Sequence, residues 1–418
     1  MIKNPFSKKR LFKLLGFLAP FPFFVVPSKN MLYFNHISKS ENLNYDIHPD
    51  YTFSLGLATP LNLMILTICF FCIIINDKKN LKPYLIDLLF LLITAFYYFV
   101  TSNSVKSLAF TSSIMAIQMA KYFCETTLGR VFLISYTKGF ATFVFLHAIS
   151  IYLDGVDFST KTEGISFFGL EIYQGLISYP AAIAVFFGIA LLAPKSMSQI
   201  LYNRDNKFPQ MIIYILLLIS ILYVLSFLTR RASLIVISIS IILFLFQRTR
   251  GFKFYNRILI AITITFIFTF VVQSLLLNGL KAFNYSQMIK PRLDLYTDAI
   301  SKYLNNGFTS KAFGYEDNWG IKHNTYIDIL QHSGFVGLIL ALLIIIRIIK
   351  KQYAFKSNYK YDQTEYKLVL LFVVFSFLFD NFVNTAFSTP FYTVTCVCLI
   401  NSVKSSLITA KDKPNAKG

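Results

Sequence analysis

Long apolar segments recur along this chain from end to end, and they constrain its fold more than any other feature. Each is about 20 residues long, the length of a helix that crosses a bilayer core of about 30 Å. Charged residues make up only 14% of the 418 residues, against about a quarter in soluble proteins. The sequence therefore predicts an all-α, polytopic integral membrane protein of about 12 transmembrane helices. The predicted spans are residues 11–27, 55–75, 84–101, 105–123, 131–153, 176–194, 211–229, 232–247, 258–277, 325–346, 368–384 and 388–403.

The net charge of +20 is distributed unevenly over these predicted segments. With the N-terminus inside, the cytoplasmic loops and adjoining span ends hold 28 of the 40 Lys and Arg residues, whereas 13 of the 20 acidic residues lie outside. An excess of Lys and Arg in cytoplasmic loops sets the orientation of membrane proteins. The basic balance thus reflects topology rather than nucleic-acid binding, and both termini are predicted to be cytoplasmic.

The chain is predicted to form a single transmembrane helical domain over residues 1–403, followed by a disordered polar cytoplasmic tail at 404–418. The longest outer loop, residues 278–324, precedes the tenth span, and loops of this length are usually functional or disordered. Spacing of apolar residues by three and four predicts an amphipathic helix over 291–304 on the outer membrane surface. Its apolar side comprises Leu293, Tyr296, Ile300 and Leu304.

A few arginines lie on the predicted outer side, against the excess of basic residues on the cytoplasmic side. They are the first candidates for catalytic or binding residues. Arg230 and Arg231 fall at a tight outer turn, where they either extend to the lipid headgroups or bind an anion, since a guanidinium matches phosphate oxygens in a bidentate way. Arg292 begins the predicted surface helix. It either pairs with Asp294 or Asp298, or contributes to the same outer site as the arginine pair.

A histidine and two polar neighbours are the other candidates. His323 stands where the outer loop meets the tenth span, and a neutral imidazole there could accept a proton from a hydroxyl. Asn324 follows it as a candidate for substrate binding. Gly334 and Gly337 would allow close helix contact in that span. Asp380, near the outer end of the next-to-last span, either caps a helix or lines the opening of a sugar-binding site.

Neither a metal nor a cofactor is predicted. The sequence contains no acidic pair, Asp-x-Asp motif or histidine cluster that would place a metal ion. The five cysteines lie in or beside apolar spans, where they are interpreted as small buried residues rather than as metal ligands or disulfides.

Three sequence motifs resemble the O-antigen polymerase and O-antigen ligase superfamily of bacterial membrane glycosyltransferases. Their order, their spacing and the long outer loop between the second and third are similar, over roughly residues 210–350. The motifs are Thr-Arg-Arg-Ala-Ser-Leu at 229–234, Arg-Leu-Asp-Leu-Tyr at 292–296, and His-Asn-Thr-Tyr-Ile-Asp at 323–328 followed by Gly-Phe-Val-Gly at 334–337.

The resemblance implies an enzyme of the bacterial inner membrane with an outer cavity in a helical bundle. Arg231 and Arg292 would bind the pyrophosphate of an undecaprenyl-linked oligosaccharide, and His323 would activate or position the acceptor hydroxyl. Arg230 occupies the place of a small or polar residue in the family pattern, so either arginine could be the essential one.

Two reactions share these motifs. A polymerase transfers a growing glycan to a second lipid-linked repeat unit, with a chain-length regulator protein as a further partner. A ligase transfers the finished glycan to lipid A-core. The sequence favours the polymerase. A transporter or flippase of lipid-linked sugars is the alternative from another class, and it would place its essential charges within the bundle rather than at the outer face.

Overall fold

The computed structural model describes residues 8–21, 68, 123–153, 165–167, 170–172, 178–202, 207–227, 231–248, 290–314, 324–354, 360–383 and 390–411. Apart from Ile68 and Phe123, the predicted spans 55–75, 84–101, 105–123 and 258–277 lie outside these residues.

Nearly all of the described residues are helical, which confirms the all-α prediction for this part of the chain. One antiparallel hairpin of two three-residue strands accompanies the helices, with Ile165 opposite Ile172. The elements are α1 (Lys8–Leu18), α2 (Thr127–Leu153), β1 (Ile165–Phe167), β2 (Leu170–Ile172), α3 (Ser178–Leu192), α4 (Pro194–Tyr202), α5 (Lys207–Phe227), α6 (Arg231–Arg248), α7 (Lys290–Asn305), α8 (Phe308–Phe313), α9 (Thr325–Tyr353), α10 (Lys360–Val383) and α11 (Pro390–Lys411).

Helices α2, α3, α5, α6, α9, α10 and α11 coincide with predicted spans, but the predicted number of twelve spans is not confirmed. Among the described residues, Thr127–Ile149 is the one helix that is long and apolar enough to cross a membrane by length and composition. The pair Ala181–Leu192 and Pro194–Tyr202, bent by 105°, adds a second if it counts as one span.

Helix α3 lies at the centre of the bundle and contacts α5, α6, α10 and α11. Its residues from Ala181 to Ala190 are apolar on every side and buried, as expected of a helix surrounded by others. A Cβ built at Gly188 would lie 2.1 Å from Phe372 Cζ and 3.0 Å from Ser240 Cβ. Glycine at this position therefore lets α6 and α10 meet against α3.

Helices α1 and α2 run in the same general direction and pack closely against each other. Each has a glycine at the contact, and this explains their close approach. A Cβ at Gly16 would lie 2.4 Å from the carbonyl oxygen of Phe132, and one at Gly139 would lie 2.0 Å from that of Phe17. Small residues at such crossings let two backbones touch, as in membrane helix pairs. The rings of Phe17 and Phe143 add an aromatic contact at 5.7 Å beyond the second glycine.

Two helices carry apolar stripes on their exposed sides. On α5 the stripe follows helical spacing and consists of Ile212, Ile215, Leu216, Ile219 and Leu222. On α9 it consists of Phe335, Ile339, Leu342, Leu343 and Ile346.

The interior of the bundle, in contrast, holds many polar side chains. Buried polar residues include Thr137, Ser240, Ser376, Thr395 and Asn401. Side chains of this kind form hydrogen bonds within the bundle: Tyr136 Oη lies 3.0 Å from Thr395 Oγ1, and the Ser376 hydroxyl donates to the carbonyl oxygen of Phe372. The described residues thus combine a largely apolar interior that includes some polar side chains with apolar stripes on the exposed sides of two helices.

A polar layer closes the bundle at the end predicted to be cytoplasmic. Gln352 Nε2 donates to Asn401 Oδ1 at 2.8 Å, and Cys124 Sγ donates to the same oxygen at 2.9 Å. Tyr366 Oη donates to Gln352 Oε1 at 2.5 Å. Four chain segments distant in sequence are thereby joined. We define the polar layer as Cys124, Gln352, Tyr366, Asn401, Lys404 and Ser405.

Two predictions about this end of the chain were wrong in detail. Residues 195–202, expected to be loop, belong to α4, which turns sharply from α3 and buries Ser196, Met197 and Ile200. The Ser196 hydroxyl donates to Glu365 Oε1 at 3.2 Å. Residues 404–411, assigned to the disordered tail, continue α11 because Ser405, Ser406 and Leu407 remain buried against the bundle.

Candidate functional site

Asn324 starts α9 as its N-cap. The Oδ1 atom accepts hydrogen bonds from the backbone N–H groups of Tyr326 at 3.0 Å and Ile327 at 3.2 Å. The first N–H groups of a helix have no partner within the helix, and asparagine in extended backbone geometry is among the best residues to satisfy them. Asn324 is 3% exposed. Its amide oxygen therefore fixes where α9 begins, directly after His323.

Tyr326 ties the start of α9 to the far end of α10. Its hydroxyl lies 3.5 Å from the carbonyl oxygen of Leu378, which is two residues before Asp380. The two helices are neighbours along their length. The beginning of the His-Asn-Thr-Tyr motif and the end of the next-to-last predicted span thus lie side by side.

Gly334 interrupts α9 ten residues after its cap. The backbone there has φ of 63° and ψ of −172°, a conformation open only to glycine, so the helix consists of two pieces. A Cβ at Gly334 would lie 2.2 Å from the carbonyl oxygen of Ala312 in α8. The predicted close contact at Gly334 is confirmed, and the short helix α8 is its partner.

The helix predicted over residues 291–304 is confirmed as α7, and Arg292 lies in its first turn; its place on a membrane surface stays a prediction. The predicted apolar side is only partly buried: Tyr296 is half-buried, whereas Ile300 and Leu304 are 44% and 60% exposed. Ala299 is the residue buried beneath this helix. Asp298, one predicted partner of Arg292, forms an exposed ion pair with Lys302 at 3.2 Å.

Helices α7 and α8 are joined by a hydrogen bond that the sequence did not indicate. Tyr303 Oη donates to the carbonyl oxygen of Lys311 at 2.7 Å, and burial raises the pKa of this tyrosine. Because α7 and α8 both contact α9, the three helices form one unit at the predicted outer end of the bundle. Tyr303 carries no motif signal, whereas Tyr326 stands within the His-Asn-Thr-Tyr motif and could have been singled out.

Helix directions bring the start of α6 to the same end as the start of α9. The Tyr214 hydroxyl donates to the carbonyl oxygen of Ala190, so α5 begins beside the end of α3. Three residues separate α5 from α6, and such a short connection makes the pair antiparallel. Helix α10 runs opposite to α3, since Phe372 lies at Gly188 and Glu365 at Ser196.

It follows that α6 and α10 are antiparallel, and Arg231, the first residue of α6, stands at the end of the bundle where α10 finishes. Three of the predicted site positions, Arg231, Asn324 and Asp380, are therefore carried by helix ends on one side of the molecule. The side chains of Arg231, Arg292 and Asp380 lie outside the described part of the structure, as do Arg230 and His323 altogether.

Within the described residues, no group of three or more His, Cys, Asp or Glu side chains could hold a metal ion. Cys124, Cys396 and Cys398 are buried free thiols, as expected for small residues of the interior. Burial raises the pKa of the Cys124 thiol from 9.0 to about 12, so it is neutral near pH 7.

The fold and these helix ends define an all-α bundle with a polar site candidate at one end. No protein-family model matches the chain, and no curated protein matches it. The resemblance to membrane glycosyltransferases therefore rests on the sequence motifs alone.

Proposed function

We propose that this protein is a polysaccharide polymerase of the bacterial inner membrane. It transfers a growing glycan from undecaprenyl pyrophosphate to a lipid-linked repeat unit at the periplasmic face. The observation that carries the proposal is the convergence of three helix ends that carry predicted site residues: the start of α6 at Arg231 and the start of α9 at Asn324, both within the motifs, and the end of α10 near Asp380.

The membrane location is supported by the apolar stripes of α5 and α9. A soluble monomer rarely exposes a contiguous apolar patch larger than a few hundred Å², and ten large aliphatic or aromatic residues form these two stripes. Lipid covers such stripes without cost. The hydrogen-bonded polar interior agrees with this location, because polar contacts hold membrane helices together where the hydrophobic effect between them is absent.

The chemistry follows from the residue types at the three helix ends. Of these ends, the start of α6 is a helix N-terminus, and such termini attract anions through their unpaired N–H groups. An arginine at the first position of α6 adds a guanidinium that can bind pyrophosphate in a bidentate way. Arg292, in the first turn of α7, supplies the second cation of the proposed site.

In the proposed reaction, the acceptor hydroxyl oxygen forms a bond with the anomeric carbon of the donor glycan. The bond from that carbon to the pyrophosphate oxygen breaks, and the lipid pyrophosphate leaves with the electron pair. His323 takes the hydroxyl proton, and Arg231 and Arg292 stabilise the charge that develops on the leaving group. Asn324 positions His323 by fixing the start of α9.

A gel of surface polysaccharide from cells with and without the gene tests the reaction. Loss of long chains, with core plus a single repeat unit remaining, supports a polymerase. Loss of all repeat units from the core, with long undecaprenyl-linked chains accumulating, identifies a ligase instead. Loss of periplasmic lipid-linked repeat units altogether identifies a transporter.

Variants then test the site. Arg231→Ala, Arg292→Ala and His323→Ala should each abolish long chains while the protein stays in the membrane fraction at its normal level. Arg248→Ala is the matched control, because Arg248 ends the same helix that Arg231 begins. Normal chain length in all three site variants would contradict the assignment, as would an equal loss in the Arg248 variant.

A further inference from the structure

An apolar groove lies between α9, α10 and α11, at the opposite end of the bundle from the candidate site. Each helix contributes residues spaced by three to four positions, so one face of each points into the groove. The groove is partly open to the surface and contains a cavity of about 70 Å³. Its lining includes Ile345, Ile349, Val373, Phe377, Val397 and Ile400.

The groove is suited to a hydrocarbon chain rather than to water. A cavity of this size could admit water only with two or more polar partners, and apolar cavities stay dry. From Ile345 to Gln352, the lining of α9 extends over eight residues, or about 10 Å along the helix. A stretch of this length accommodates part of one acyl chain.

Polar and basic residues follow the groove lining on all three helices at the same end. Gln352 lies one turn beyond Ile349, and it is buried in the polar layer. Lys404 lies one turn beyond Ile400 on α11, and its Nζ is 3.4 Å from Gln352 Oε1. Lys367 stands one turn before the groove-lining part of α10, with its Nζ 4.6 Å from the centre of the Tyr353 ring.

Both lysines are positively charged and half-buried, and both lie at the end predicted to be cytoplasmic. Basic pockets between membrane helices on the cytoplasmic side bind anionic lipid headgroups. We propose that the groove binds one acyl chain of an anionic phospholipid whose phosphate contacts Lys367 and Lys404. This inference rests on the membrane location in the proposed function, and it concerns a lipid other than the glycan substrate.

Reconstitution of the full-length protein tests the proposal. The protein is placed in lipid discs of phosphatidylcholine alone or of equal parts phosphatidylcholine and phosphatidylglycerol. Native mass spectrometry then counts the lipid retained after detergent release, and the midpoint of thermal unfolding is measured in both discs. We expect selective retention of phosphatidylglycerol and a higher midpoint in its presence. Equal retention of the two lipids would overturn the proposal.

Lys367→Gln should lower phosphatidylglycerol retention about fivefold, because it removes one charge and keeps a polar side chain. Lys350→Gln is the matched control: Lys350 is exposed near the same end of α9 and does not line the groove. An equal loss in both variants would show a general effect of positive charge and would overturn the site. Val397→Phe, which fills the groove, should reduce retention while both lysines remain.

Soluble glycerol phosphate separates a lipid site from a simple anion site. It should not raise the unfolding midpoint, because it lacks the acyl chain; stabilisation equal to that of phosphatidylglycerol would overturn the lipid assignment. Lipid retention and the unfolding midpoint are both measured without a glycan. If glycan transfer fails while selective lipid retention is intact, only the proposed function is refuted. Purification of the chain without detergent would refute the membrane location on which both rest.

Discussion

Cys124 is buried, and it donates a hydrogen bond to α11, a helix near the opposite end of the chain. Its thiol donates to Asn401 Oδ1, and Ser405 Oγ lies 3.8 Å from its sulfur. Burial is the main cause of the raised pKa, and the charge of Lys404 lowers it by a smaller amount. Because the thiolate is the nucleophile, a thiol held neutral in this way is unreactive.

We therefore expect Cys124 to resist alkylation by a maleimide at pH 8 in the folded protein and to react once it is unfolded. Peptide-level mass spectrometry distinguishes it from the other four cysteines. Alkylation in the folded protein at the rate of the unfolded chain would contradict the burial of this thiol.

The same shift predicts the direction of a pH effect on stability. The folded-state pKa of about 12 lies above the unfolded value of 9.0, so the stabilising contribution of the neutral thiol is complete below pH 9. It declines as the pH rises from 9 toward 12, where the unfolded chain has already lost this proton. Thermal unfolding from pH 8 to 11 should show a steeper decline for the wild type than for Cys124→Ala. Parallel curves for the two proteins would contradict this.

At the scale of single elements, α9 is the most informative helix. A side-chain cap determines its start, a glycine interrupts it, and its last turn enters the polar layer. The helix was predictable as a span because its residues 335–346 form an uninterrupted apolar run. Its interruption was not, since the sequence around Gly334 is equally compatible with an unbroken helix, and the positive φ is set by contact with α8, a helix that lacks a strong sequence signal.

Substitutions of Asn324 separate capping from substrate binding. Asn324→Ala should destabilise the protein by about 0.5–2 kcal/mol, because two N–H groups of α9 lose their acceptor. Asn324→Asp and Asn324→Ser retain a capping oxygen and should retain both stability and chain elongation. If both conservative variants fold normally but lose elongation, the amide itself binds substrate and the positioning role is wrong. The measurements are thermal unfolding and the polysaccharide gel.

Gly334→Ala should destabilise the protein by at least about 1–3 kcal/mol, because the backbone conformation is strained for alanine and the new methyl group meets the Ala312 carbonyl. Gly307→Ala is the control, since no atom lies within 4 Å of a Cβ built there and its φ is −64°. Thermal unfolding of the two variants measures the difference. A Gly334 variant as stable as the Gly307 variant would show that the break in α9 is not required.

At the scale of the whole molecule, sequence periodicity and charge predicted the helices well and their arrangement poorly. Apolar runs located α2, α5 and α10 because a helix in a bundle needs a long apolar surface. The polar layer could not be predicted, since Cys124 and Asn401 are 277 positions apart in the chain. Of the candidate site, the sequence supplied residue types and the predicted side of the membrane. Adjacency of the α9 start and the α10 end required the structure.

The stripe on α5 yields a prediction that separates a membrane protein from a soluble one. Ile219, near the middle of the helix, is 56% exposed. In a bilayer, Ile219→Lys should disfavour insertion by about 2.5–3.5 kcal/mol and lower the amount of protein in the membrane fraction, whereas Ile219→Val should have no effect. In water the lysine would be neutral or would improve solubility. Unchanged membrane levels of the lysine variant would contradict a lipid-facing α5.

The break at Gly334 also determines how far a mechanical disturbance travels. An unbroken helix behaves as a stiff rod, so a rotation applied at one end turns the other. In α9 the residues before Gly334 are held by α7, α8 and the Leu378 carbonyl, while the last turn is held in the polar layer. Torsion at a single glycine absorbs a rotation of the first piece. A rotation of the first piece is therefore not transmitted in full to the polar layer at the opposite end of the bundle.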